Sequence, residues 1–343
     1  MPRKLAAALA CVVSFALAAV PSALSQYRGG AAPPESASGS GEAINDLYWV
    51  VLAAVAFVFV AVESVLIFFI VRFRRRADAG PDVEGPQIHG NTRLEIIWTV
   101  IPALALVALA VFTVTKVGAV QAKPPASGRE AGIEIGVDAH QFYWQYRYPN
   151  GALSFDTLYL AAGRPVTLVL RAADVDHSWW VPELTGKLDA IPGQTNRLHF
   201  TPSRVGTFAN GKCAEMCGIQ HAAMLTTVRV LSAGDFERWL DENEPTGNPG
   251  QLREIGKAEW TAACAKCHGA EGEGDIGPRI AGNTTLVNYD GLRQLLYAGQ
   301  NTDANEGYMP PVGSGWSKRQ IDALISYVKS NEKLAAKGGT GGG

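Results

Sequence analysis

The sequence predicts a membrane-anchored multidomain protein: a two-helix transmembrane hairpin, then an all-β Greek-key domain, then a small all-α domain. Three observations predict it. Two long apolar runs, over 47–71 and 96–117, each reach the roughly 20 residues that a bilayer crossing needs. Beyond them the pattern becomes short β-branched or alternating segments separated by Gly, Pro, Asn or Asp. Near the C-terminus helical patterning returns over 252–263, 289–298 and 317–329. The 343 residues are about twice the ~150 usual for one domain, so several units fit. Charged residues are only 18% against roughly 25% in soluble proteins, while 47% are apolar, which argues against a disordered or wholly water-soluble chain. A net charge of -2 supplies no field for a phosphate backbone, so nucleic acid drops out as a partner.

Taken in order, Arg3 and Lys4 precede an apolar run over 5–20, and Ala23 and Ser25 offer a small-residue cleavage site before Gln26. That is the pattern of a secretory signal over 1–25, with an uncleaved anchor as the alternative. Residues 26–41, rich in Gly, Ala, Pro and Ser, read as a flexible segment. The hairpin then fills 42–120. Arg72, Arg74, Arg75, Arg76 and Arg93 lie between its helices, and the positive-inside rule puts that connection in the cytoplasm. The N-terminus and everything after the second helix therefore face outward. Pro102 predicts a kink in the second helix. Glu63, an intramembrane carboxylate, is either functional or paired with a neighbouring helix.

The all-β reading covers 121–240, with strands expected near 133–137, 166–170, 198–200 and 226–231. Its strongest feature is Cys213-Ala-Glu-Met-Cys217-Gly-Ile-Gln-His221-Ala-Ala-Met224, joined by His177 from an earlier strand end. Thiolates and a thioether combined with imidazoles favour copper, and a β-sandwich offering one early His and a late ligand loop suits copper electron transfer. A mononuclear site needs one thiolate; two, four residues apart, can bridge a pair of metal ions. The alternative is that Cys213 and Cys217 form a disulfide in an exported domain.

A linker over 241–251 leads to a helical domain over 252–335 and a Gly-rich tail over 336–343 that reads as disordered. In the helical domain, Cys264-Ala-Lys-Cys267-His268 is the c-type haem attachment signature, two thiols for the vinyl groups and an imidazole for iron. A zinc or redox CxxC would need a second Cys/His pair or a thioredoxin-like context. Met309 is the only methionine after the signature and the candidate sixth ligand, a thioether that raises the haem potential.

On these motifs the chain resembles subunit II of the haem-copper cytochrome c oxidases. The likeness extends to the stretches 174–182 and 187–193 and to Leu94-Glu95-Ile-Ile-Trp98-Thr-Val-Ile-Pro102. The resemblance implies a cupredoxin-like fold for the β domain and a binuclear copper A centre. In that centre Cys213 and Cys217 bridge two coppers, His177 and His221 each bind one, and Met224 and the Glu215 carbonyl complete the set. The Glu215 side chain would reach a magnesium or manganese ion at the boundary with subunit I. The family's acid at the position of Glu95 stands near the mouth of a proton channel; a helix-end carboxylate can also be a cap. The family commonly takes up electrons through an aromatic cluster beginning with Trp. Here that cluster is Phe142, Tyr143 and Trp144, so Phe142 stands where the Trp is usual and offers contact rather than an indole route, core packing being the alternative.

The C-terminal domain is similar to class I cytochromes c, including Gly277-Pro278, whose Pro carbonyl orients the axial His in that family. A fused cytochrome c is the mark of the caa-type oxidases. The resemblance implies a route from an external donor, such as a cytochrome c or an upstream respiratory complex, to haem c, then copper A, then haem a and the oxygen-reducing centre of subunit I. Subunit III is a further expected partner and the bacterial inner membrane the expected location. No oxygen-reducing site is expected in this chain, because His89, His140 and His199 fall in three separate segments. The alternative function is a membrane-anchored haem c and copper carrier that belongs to no oxidase.

Overall fold

The computed structural model describes residues 32–74, 87, 89–120, 132–301 and 308–335. The expected signal over 1–25, Arg75, Arg76 and the tail over 336–343 lie outside these residues. Two long helices, α1 (Gly39–Arg72) and α2 (Thr92–Val120), pack against each other as the expected hairpin. Both are apolar around their whole circumference, the pattern of a membrane span. α2 runs unbroken past Pro102. At the end of the pair nearest the β domain, Lys116 Nζ meets Asp46 Oδ2 at 3.3 Å.

The hairpin is fastened to the β domain by residues read from composition as flexible. Ala37 and Ser38 are fully buried, the Ala37 amide donates to the Glu183 carbonyl at 2.7 Å, and Ser203 donates back to the Ala37 carbonyl at 2.8 Å. Ser38 then caps α1, accepting from the Gly41 amide at 3.0 Å. Small residues allow this close approach: a Cβ on Gly41 would lie 2.8 Å from the Glu183 carbonyl oxygen. The composition that suggested flexibility is what lets the chain lie flat against the domain.

The β domain is two five-stranded sheets packed face to face. One has β3 (Leu153–Phe155), β2 (Tyr143–Arg147), β1 (Ile133–His140), β5 (Val166–Ala172) and β8 (Asn196–Phe200) in that spatial order. The other has β4 (Thr157–Ala161), β10 (Leu225–Leu231), β9 (Gly206–Cys213), β6 (His177–Trp180) and β7 (Leu188–Ala190). Pairings are antiparallel except β1 with β5 and β4 with β10. Ile135, Val137, Leu158, Leu168, Leu170, Val228 and Trp179 fill the space between the sheets, each contributing roughly 1.5–3 kcal/mol by leaving water. A helix that strand reasoning missed, α3 (Ala233–Asn243), closes one edge: Ser232 caps it, and Trp239 stacks on Tyr159 with ring centroids 4.3 Å apart.

The linker expected over 241–251 is shorter, because α3 continues through Asn243 and α4 (Pro249–Glu259) begins at Pro249 with Asn248 as its cap. α4 runs into a π-helical turn, Trp260–Cys264, and then α5 (Ala265–His268). α6 (Tyr289–Ala298) and α7 (Lys318–Ser330) complete the helical domain, and Ser317 with Gln320 forms a capping box on α7. α4 crosses α7 at Gly256, where any Cβ would collide with the Ala323 carbonyl. Strands β11 (Gln300–Asn301) and β12 (Tyr308–Met309) pair, setting Met309 opposite Gln300.

Candidate metal and haem sites

The expected copper ligands converge at one end of the sandwich. Strands β6 and β9 are neighbours, and their register sets Trp179 opposite Cys213. His177, two residues before Trp179, therefore projects from the same face as Trp179. The other ligands lie on the loop joining β9 to β10, whose ends are tied by the Cys213 amide donating to the Met224 carbonyl at 2.9 Å. Ala214 N–H donates to the Ser178 carbonyl at 2.8 Å and locks the loop to β6.

The ligand atoms of His177, Cys213 and Cys217 all lie within 4.8 Å of one another and are buried. Cys213 Sγ is 3.8 Å from His177 Nδ1 and 3.9 Å from Cys217 Sγ, so the two thiols are unbonded. Cys217 Sγ is 3.5 Å from His221 Nδ1 and 3.8 Å from Met224 Sδ. The Glu215 carbonyl oxygen is 3.2 Å from Cys213 Sγ, while a Glu215 carboxylate oxygen accepts from the Met216 amide at 3.3 Å. The six residues singled out in the sequence are thus brought together. The hydrogen bond from Cys217, working against the cost of burial, holds Cys213 well below the ordinary thiol range, and the same contact with burial holds Cys217 above it. A bound soft cation would favour ionisation of both thiols, because a coordinating thiol is deprotonated. The donor set fits copper.

Asp174 is a site residue that the sequence reading did not single out. Its Oδ1 pairs with His177 Nε2 at 2.8 Å, and its carboxylate also accepts from the amides of Gln141 and Val175, each at 2.7 Å. Burial would raise its pKa, but these hydrogen bonds outweigh burial and hold it below the usual range. The pairing fixes the ring so that Nδ1 faces the thiols. The signal was there in Asp174-Val-Asp-His177, an acid three residues before the His.

The aromatic cluster links this site to the helical domain. Phe142 packs on the ligand loop: a Cβ on Gly218 would lie 3.0 Å from Phe142 Cε1, and Gly218 holds φ +131, so both space and conformation require glycine there. Trp144 sets its edge toward His177, centroids 6.1 Å apart. Tyr143 turns away and is buried among the helical domain's core residues.

In that core Cys264 and Cys267 are free thiols on successive turns, next to His268. His268 Nδ1 donates to the Pro278 carbonyl at 2.7 Å, which leaves Nε2 for iron. A Cβ on Gly277 would stand 2.9 Å from the imidazole. Leu286, Leu292, Leu296 and Val312 supply apolar walls, with Met309 half-buried against them. The residues fit a covalent haem.

Glu95 lies apart, at the start of α2, where it accepts from the Asn91 amide at 3.1 Å and Asn91 accepts from the Leu94 amide at 3.2 Å, a reciprocal cap.

Comparison with known proteins agrees with this layout. Residues 157–231 match the family described as "Cytochrome C oxidase subunit II, periplasmic domain", and residues 27–115 match its transmembrane domain. Residues 251–328 match "Cytochrome C oxidase, cbb3-type, subunit III". Cytochrome c oxidase subunit 2 of Alkalihalophilus pseudofirmus is 34% identical over 304 residues, covering 82% of this chain and 85% of that protein. The Bacillus subtilis protein of the same name is 33% identical, covering 68% and 69%. Among solved structures, the periplasmic domain of subunit II of cytochrome oxidase from Bradyrhizobium japonicum is 26% identical, covers 32% of this chain and 92% of that one, and has a TM-score of 0.31.

Proposed function

Because the chain belongs to the cytochrome c oxidase subunit II family, we propose that it is the electron-accepting subunit of a terminal oxidase, taking electrons at a covalent haem c and handing them through copper A to haem a and the oxygen-reducing site of subunit I. The observation that carries this reading is the presence in one chain of both donor sets, Cys213/Cys217/His177 and Cys264/Cys267/His268, with the domains in direct contact through Tyr143. When bound, the copper ions and the haem supply reversible one-electron chemistry.

The chain's own residues hold and orient those groups. Cys213, Cys217, His177, His221, Met224 and the Glu215 carbonyl would hold the copper, the thiols supplying soft anionic donors and the imidazoles neutral ones. The Glu215 side chain is offered to magnesium or manganese at the boundary with subunit I. Asp174 and the Pro278 carbonyl each fix the far nitrogen of a ligand imidazole, so neither ring reorients when charge changes. Cys264 and Cys267 would anchor the haem covalently, and His268 and Met309 would offer an imidazole and a thioether to its iron. Phe142 packs on the copper-ligand loop, Trp144 lies in the sandwich core beside His177, and Tyr143 reaches into the core of the helical domain, all of them buried. The short connection between α3 and α4 keeps the two domains at effective concentrations on the order of millimolar.

Family membership supports the remaining elements of the proposal. The hairpin spans a bacterial inner membrane beside subunits I and III, the two redox domains face the outer side, and the donor is a soluble cytochrome c or an upstream complex. Glu95 then stands at the cytoplasmic end of the hairpin, where protons enter subunit I. Affinity purification of the tagged chain from membranes tests the assignment. A larger co-purifying subunit with haem a and oxygen uptake is expected. A chain that purifies alone, carrying copper and haem c without haem a, would identify a free-standing carrier instead.

A further inference from the structure

Lys266 lies between the two haem-attachment cysteines, yet its side chain leaves the helical domain. Its Nζ is 2.6 Å from Asp156 Oδ2 and donates to the Phe142 carbonyl at 2.9 Å. Gln220, the residue before the copper ligand His221, donates from Nε2 to the Lys266 carbonyl at 3.4 Å. The acceptor is built to receive a cation. Asp156 Oδ1 is taken by the Trp144 amide at 2.9 Å, and its backbone is tied to Trp144 and Thr227 at 2.9 and 2.8 Å. Its φ of +52 is a conformation that Asp tolerates better than most side chains. Burial raises the Asp156 pKa, and Lys266 opposes it. Among the described residues this is the ion pair that joins the haem and β domains, and it lies in the haem-attachment loop itself. Like the Gln220 bond, the cross-domain contacts of Gln145 with Gln320 at 2.9 Å and of Tyr143 with Trp316 and Val312 are neutral.

We propose that Lys266 is the positioning residue for electron transfer within the chain: its ion pair with Asp156 and its bond to the Phe142 carbonyl hold the Cys264–His268 helical turns against the β1–β2 and β3–β4 turns, and so beside the copper-ligand loop that packs on Phe142 and reaches Lys266 through Gln220. The role rests on the function proposed above. Electron transfer falls off steeply with separation, so a contact that fixes the gap between these loops sets the rate, whereas one at the rim would set only the affinity of the domains.

The test uses the whole oxidase. A zero-length carbodiimide, which joins an amine to a carboxylate only in direct contact, should link Lys266 to Asp156 in the native protein, with loss of one water detected in the joined peptides. Lys266→Glu should remove the link and slow photoinitiated transfer from haem c to copper by roughly tenfold or more, with the haem spectrum and the copper EPR signal unchanged. Lys266→Arg, which keeps the charge, should keep the rate. Absence of the link in the native protein, or a native rate in Lys266→Glu, overturns the proposal. A native protein that forms the link yet passes no electron from haem to copper overturns the functional reading, and the positioning role with it.

Discussion

Tyr143 of the β domain and Trp316 of the helical domain share one buried hydroxyl: Trp316 Nε1 donates to Tyr143 Oη at 2.7 Å, and the Tyr143 hydroxyl donates to the Val312 carbonyl at 2.6 Å. A side chain whose neighbours Phe142 and Trp144 pack against Gly218 and His177 is thus embedded in the helical domain's core. The two domains are joined by packing as well as by a tether. Burial pushes the Tyr143 phenol far above its ordinary range, so it stays a donor at every working pH.

Removing that hydroxyl should loosen the joint. Tyr143→Phe keeps the ring but strands the Val312 carbonyl and the Trp316 indole, a cost of about 1–3 kcal/mol. Denaturant unfolding followed at the haem absorption band should show an earlier midpoint, and an unchanged midpoint would show that the joint contributes no stability.

Asp174 is predicted to act on copper through His177. Asp174→Asn removes the charge that orients the imidazole and should weaken copper binding by about 10–100-fold, read by competition with a chelator. The β domain itself should fold as before, because Asp174 sits at the end of the sandwich and not between its sheets.

His140 gives the β domain an acid limit. It stacks on Tyr143 at 4.7 Å, fully enclosed, and burial, partly offset by Asp174, lowers its pKa to about 4. The unfolded chain takes up this proton near pH 6.5, so between these values the unfolded state binds more protons and stability rises with pH. Stability should therefore be lost as pH falls from about 6.5 toward 4, by about 3 kcal/mol at most. Denaturation at a series of pH values checks this, and His140→Gln should flatten the slope across that window.

Gly256 is the contact point of α4 and α7, and Gly256→Ala drives a methyl group into the Ala323 carbonyl. The helices must part, at a cost of about 1–3 kcal/mol or more. Thermal unfolding of the haem domain should shift down, and less of the purified chain should carry covalent haem.

Most of the site was legible because its ligands are nearly contiguous. Five of the six proposed copper positions fall between Cys213 and Met224, and three of the four proposed haem positions between Cys264 and His268, so spacing alone exposes them. Soft donors in a β domain name the metal class. What stayed hidden depends on distant pairing. Asp156 and Lys266 are 110 residues apart, and neither carries a local pattern. The segment from Ala37 to Gly41 looked flexible because small residues serve loops and close packing alike; only Glu183 and Ser203 decide between them. α3 was masked by the β pattern before it, although Ser232 and the spacing of Phe236, Trp239 and Leu240 mark a capped, one-sided helix.

The central claim is that one chain holds a two-copper centre and a covalent haem in series. Metal and haem analysis of the purified oxidase subunit, joined to copper EPR, tests it most directly. Two coppers per covalent haem c are expected in this chain, with the unpaired electron coupled to both nuclei. One copper per haem, with coupling to a single nucleus, would contradict it.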